Sequence, residues 1–127
     1  MVQSDRQTVL RVLDFELFQD LLESLGNELG IVAGLYRRFL DNTAATLAEL
    51  RRQKAETWSK TLHALKGSAG MVGANRIAAV AAELQDSLLH APREMGKAEL
   101  DVLESELALF RVTVIDHLES LGHSPAP

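Results

Sequence analysis

The sequence predicts an all-α chain, an antiparallel four-helix bundle with a short accessory N-terminal helix, on three observations. Leucine and alanine dominate from Leu13 to Leu121, with few β-branched runs. Apolar residues recur at three- and four-residue spacing, and no alternating pattern bounded by hairpin turns occurs. Turn and cap residues at Gly26, Gly73 to Asn75 and Pro92 cut the chain into helix-length segments. A chain of 127 residues suits one domain with one core. Its organisation is read as an N-terminal arm or extra turn over 1–12, the bundle over 13–121 and a C-terminal tail over 122–127.

Asp14 is the expected N-cap of a short helix carrying Leu17, Phe18, Leu21, Leu22 and Leu25, which Gly26 ends. From Asn27 to about Gln53, Val32, Leu35, Tyr36, Phe39, Thr43, Thr46, Leu47 and Leu50 share one face, with Arg37, Arg38, Asp41 and Arg52 opposite. A third helix runs from about Ala55 to Met71. Asn75 is the expected cap of the fourth, which buries Ile77, Val80, Ala81, Leu84 and Leu88, and His90-Ala91-Pro92 breaks it. The last helix, about Lys97 to Leu121, places Leu100, Leu103, Leu107, Phe110, Val114, His117 and Leu121 along a bundle seam.

Composition narrows the function. A net charge of -5 without an extended basic stripe argues against nucleic acid or an anionic membrane as partner. The chain has no cysteine, which excludes disulfides, thiolate metal sites and thiol catalysis and fits a reducing, cytoplasmic setting. No signal-peptide core or membrane-spanning apolar run is present. His90, His117 and His123 lack partners at ligand spacing, so no metal site is expected. No phosphate-cradling loop, kinase loop or nucleophile elbow occurs, so the chain is not read as an ATP-using enzyme.

The segment His63 to Gly73 is the most informative. At about 100° per residue, Trp58, Thr61, Leu62, Leu65, Ala69 and Val72 form the core stripe of its helix. Glu56, Ser59, Lys60, His63, Lys66, Gly67, Gly70 and Ala74 fall on the other side. A glycine inside a helix costs roughly 1 kcal/mol relative to alanine, and Gly67 and Gly70 both stand within this one. Either they let a neighbouring helix pack closely, or they clear space beside His63 for a bulky partner; their placement favours the second. Gly73 is the expected helix end. Lys66, three residues after His63, is within reach to pair with an anionic group transferred to the ring.

This segment resembles the histidine-containing phosphotransfer domain, whose core pattern H-x-[LIF]-K-G-x-x-x-x-x-G is matched at His63, Leu65, Lys66, Gly67 and Gly73. That family also carries a glutamine on the following helix that orients the imidazole, and Gln85 stands at the corresponding spacing, 22 residues beyond His63. Sensor-kinase dimerisation helices also carry a phosphorylated histidine. Ala64, in place of an acidic neighbour, and the lack of proline between His63 and His90 disfavour that version.

The resemblance implies a phosphocarrier. His63 Nε2 would accept a phosphoryl group from a receiver-domain aspartyl phosphate and pass it to another receiver, with Lys66 offsetting charge and Gln85 holding the ring. Lys60, Gly67, Gly70 and Ala74 are the expected docking residues, and Arg37 and Arg38 offer weaker steering. Partners would be receiver domains of response regulators or hybrid sensor kinases, whose acidic pocket supplies Mg²⁺; the chain itself would bind no cofactor and work as a monomer. The alternative is a non-catalytic helical module that binds receivers or other regulators without carrying phosphate.

Overall fold

The computed structural model of the chain describes residues 10–91 and 95–123. These form α1 (Phe15–Ser24), α2 (Leu29–Arg51), a 3₁₀ turn (Ala55–Thr57), α3 (Ser59–Met71), α4 (Asn75–His90) and α5 (Lys97–Ser120), with no strand among the described residues. Most of the expected N-terminal arm, including Val9, the helix-breaking Pro92 and the tail beyond His123 lie outside the described residues.

Helix α3 packs along α4, α4 along α5, α5 along α2, and α2 beside α3, so four helices close a ring; α1 rests on α2. The pattern follows from where the apolar side chains fall. Helix α2 turns Val32, Tyr36, Phe39, Leu40, Leu47 and Leu50 inward, and α5 answers with Leu100, Leu103, Leu107, Phe110, Val114 and Leu118. An aromatic cluster ties three helices at the centre: Phe18 of α1 stacks on Tyr36 at 5.3 Å, and Phe110 of α5 meets Phe39 edge-on at 5.5 Å. Full burial of each such side chain stabilises by roughly 1.5–3 kcal/mol.

Helix ends follow local chemistry. Asp14 caps α1 by accepting from the Leu17 N–H. Gly26, Gly73 and Gly122, all at positive φ, end α1, α3 and α5. Each sits in the same closing motif, in which the following residue's N–H turns back five residues: Asn27 to Leu22, Ala74 to Ala69 and His123 to Leu118. Glu99 reaches back to the Gly96 N–H at the start of α5, half of a capping box.

Three expectations need correction. The third helix is not continuous from Ala55: a 3₁₀ turn runs into buried Trp58, and α3 begins at Ser59. The Trp58 indole N–H donates to the Leu50 carbonyl at the end of α2, so its position is set by that bond. Asn75 is the first residue of α4, not its cap; Ala74 holds the cap position without a side-chain hydrogen bond. On α5, Leu118 is buried while Leu121 is 43% exposed and His117 half-buried. A straight α-helix drifts about 20° per heptad from a 3.5-residue repeat, and over three heptads the inward seam moves from His117 to Leu118.

Candidate functional site

Helix α3 buries Leu62, Leu65 and Ala69, and this fixes what its other face presents. Lys60, His63, Lys66, Gly67 and Gly70 are all exposed. A Cβ added at Gly67 or Gly70 meets nothing within 4 Å. Neither glycine seats a neighbouring helix, so close helix packing does not account for them. They leave bare backbone one and two turns beyond the imidazole.

The histidine stands between two features. On one side is α4, whose Gln85 lies half-buried against the first turn of α3. Its amide donates to the Ser59 carbonyl at 3.4 Å, one turn before His63. Position 85 faces the turn preceding His63, and the side chain finds the exposed carbonyl there. On the other side, α2, α3 and α1 enclose a groove of about 490 Å³, lined by Arg38, Phe39, Asn42, Thr46 and Leu21, and by Thr61, Ala64, Ser68 and Met71 of α3. Met71, 75% exposed, forms its lip. This groove is absent from the sequence-based site. Its sequence signal was a methionine outside the core stripe, together with Thr43 and Thr46 on a face otherwise apolar.

The far end of α3 is anchored twice. The buried Tyr36 hydroxyl donates to the Val72 carbonyl at 2.8 Å, and the Asp14 N–H donates to the Gly73 carbonyl at 2.8 Å. Burial, and secondarily the charge of Asp14, push the Tyr36 phenol well above its ordinary range. The backbone that carries His63 is therefore fixed to α1 and α2. Ala74, expected on the docking face, is fully buried. It lies past the end of α3, where the chain reverses into α4, so the helical phase that placed it beside His63 no longer applies. Arg37 and Arg38 also part company: Arg38 lines the groove beside α3, whereas Arg37 lines a separate groove between α2 and α5.

The arrangement offers an accessible imidazole, a nearby ammonium, bare helix backbone and an adjoining apolar groove. The Hpt domain family model matches residues 15–122. The chain belongs to the Hpt domain family, whose members act as phosphocarriers in phosphorelays through a histidine, and not as catalytic enzymes. No curated protein and no solved structure matches the chain. Among the described residues, no helix is long and apolar enough to cross a membrane.

Proposed function

We propose that His63 is the phosphorylated residue, taking a phosphoryl group from the aspartyl phosphate of one receiver domain and yielding it to the aspartate of another. The observation that carries this is the exposure of His63 on a helix face that also carries two glycines in open space, Gly67 and Gly70. In the forward step the Nε2 lone pair attacks phosphorus in line, the acyl-phosphate P–O bond breaks, and the receiver's carboxylate leaves. Such transfers depend mainly on positioning and charge neutralisation. The ring of four helices, read as an antiparallel bundle, supplies the positioning. Lys66 and Lys60, both exposed on the same face, supply positive charge, and the receiver supplies Mg²⁺. Gln85, held at the turn before His63, is the side chain nearest in register to orient the ring, by exchanging its Ser59 bond for one to Nδ1.

Receivers dock, in this reading, across Gly67, Gly70 and the groove toward Arg38 and Met71. The test is transfer of label from a panel of phosphorylated receivers, with Mg²⁺, to the wild-type chain and to His63→Ala. Acid-labile label on the wild type alone is the expected result. Label persisting on His63→Ala sinks the assignment, and binding without any label makes the chain a non-catalytic receiver-binding module.

A further inference from the structure

A second groove, also about 490 Å³, runs between α2 and α5 on the side of α2 away from Arg38. Its floor is apolar, formed by Ala33, Leu40, Val114 and Leu118, and its rim is cationic, with Arg37 on α2 and Arg111 on α5. No carboxylate lines it. The chain as a whole carries 18 acidic against 13 basic residues. Arg51, Arg52 and Arg76 are each bound to a carboxylate of this molecule. Among the described residues, Arg37 and Arg111 have no such partner, as Arg11 and Arg38 also have none, but Arg37 and Arg111 face each other across one groove. Two arginines left unpaired in an acidic molecule, on opposite walls of an apolar trough, define the charge of what the trough can accept.

Shape narrows the occupant further. The α2 wall from Gly30 to Leu40 spans ten helical steps, about 15 Å at the helical rise, which is close to three turns of a second helix. On that wall a Cβ added at Gly30 or Gly34 meets nothing within 4 Å, so a rod of helical diameter can approach α2 closely. An apolar stripe fits the floor, and acidic residues on both flanks meet the two guanidinium groups, the helix-in-groove mode of recognition. We propose that the α2–α5 groove docks an acidic amphipathic helix of a partner protein, at a face separate from His63. The proposal does not depend on phosphoryl transfer. A partner held there leaves the α3 face open to a receiver.

The test uses a synthetic fourteen-residue helical peptide with leucine at three- and four-residue spacing and glutamate on the flanks, and a matched peptide with lysine for every glutamate. Amide resonances of the full chain are followed during titration. The glutamate peptide is expected to shift Gly30, Gly34, Ile115 and Leu118, and the lysine peptide to leave them unmoved. Gly34→Leu, which fills the trough at a position with room for a side chain, is expected to weaken binding at least about tenfold, roughly 1.4 kcal/mol. Arg37→Glu with Arg111→Glu is expected to exchange the preference to the lysine peptide, an outcome that simple unfolding cannot produce. The proposal is overturned by shifts confined to the α3 residues Thr61 to Met71, by equal response to both peptides, by no response to either, or by Gly30 and Gly34 shifting with protein concentration alone, which would make a second copy the occupant.

Discussion

An alanine at position 73 would have to keep a φ of +75° and would bring its Cβ to 2.9 Å from the Asp14 Cβ. Left-handed backbone alone costs a side chain roughly 1–2 kcal/mol, and relief of the clash would stretch the Asp14 to Gly73 backbone bond. Gly73→Ala is therefore expected to lower unfolding free energy by at least about 1–2 kcal/mol in urea denaturation. Gly67 lies in open space at ordinary helical φ, so Gly67→Ala is expected to raise stability by up to about 1 kcal/mol. A larger side chain there, Gly67→Leu, is expected to slow transfer from a phosphorylated receiver while helicity is retained; unchanged transfer would refute the access role. Tyr36 shows a different dependence. Tyr36→Phe leaves the Val72 carbonyl without its donor, a loss of about 1–3 kcal/mol. Because the phenol's folded value lies above its ordinary 10.0, the unfolded chain deprotonates first as pH rises. Its contribution is complete below pH 10.0 and declines above that, and Tyr36→Phe should remove this part of the alkaline loss of stability.

Helix α1 is held by Phe18, by the Asp14 bonds, and by His117 of α5, whose ring meets Phe15 at 4.8 Å and Phe18 at 4.5 Å, both edge-on. Desolvation between these rings lowers the His117 pKa from its ordinary 6.5. Below 6.5 the unfolded chain takes up the proton before the folded one, so the stability contributed by the neutral ring is present above that pH and lost as pH falls toward the lower folded value. His117→Leu is expected to flatten the change in urea midpoint between about pH 7.5 and about pH 5.5; an unaltered acid limb would refute the assignment. At this scale, most of the fold was legible in sequence, because Asp14, Gly26 and Gly73 act through local backbone chemistry and the apolar spacing of α2 and α4 needs no tertiary information. His117 was not, since its partners sit on a helix about a hundred residues away. Ala74 failed for a related reason: its placement extended a regular helix across a chain reversal whose geometry is set by packing. The grooves beside α2 were invisible because each is a property of two or three helices together.

The whole molecule separates the residues that hold it together from those proposed to carry its chemistry. Phe18, Tyr36, Leu62 and Phe110 are fully buried, and truncating such an aromatic residue, as in Phe110→Ala, is expected to remove about 3–5 kcal/mol from a domain whose total margin is of order 5–15 kcal/mol. His63, Lys66 and Gly67 lie on the surface of α3, over Leu62 and Leu65 but outside the packed interior. Substitutions away from caps, cavities and buried networks usually change stability by less than about 0.5 kcal/mol. His63→Ala also gains helix propensity. The two effects leave the urea midpoint of His63→Ala within about 0.5 kcal/mol of wild type, while phosphoryl acceptance falls to nothing, because no other described histidine shares the α3 face. Partial unfolding would appear in both measurements together. A His63→Ala protein that loses several kcal/mol would mean that the imidazole supports the helix, and the exposed face of α3 would then be structural instead of a surface kept free for a partner.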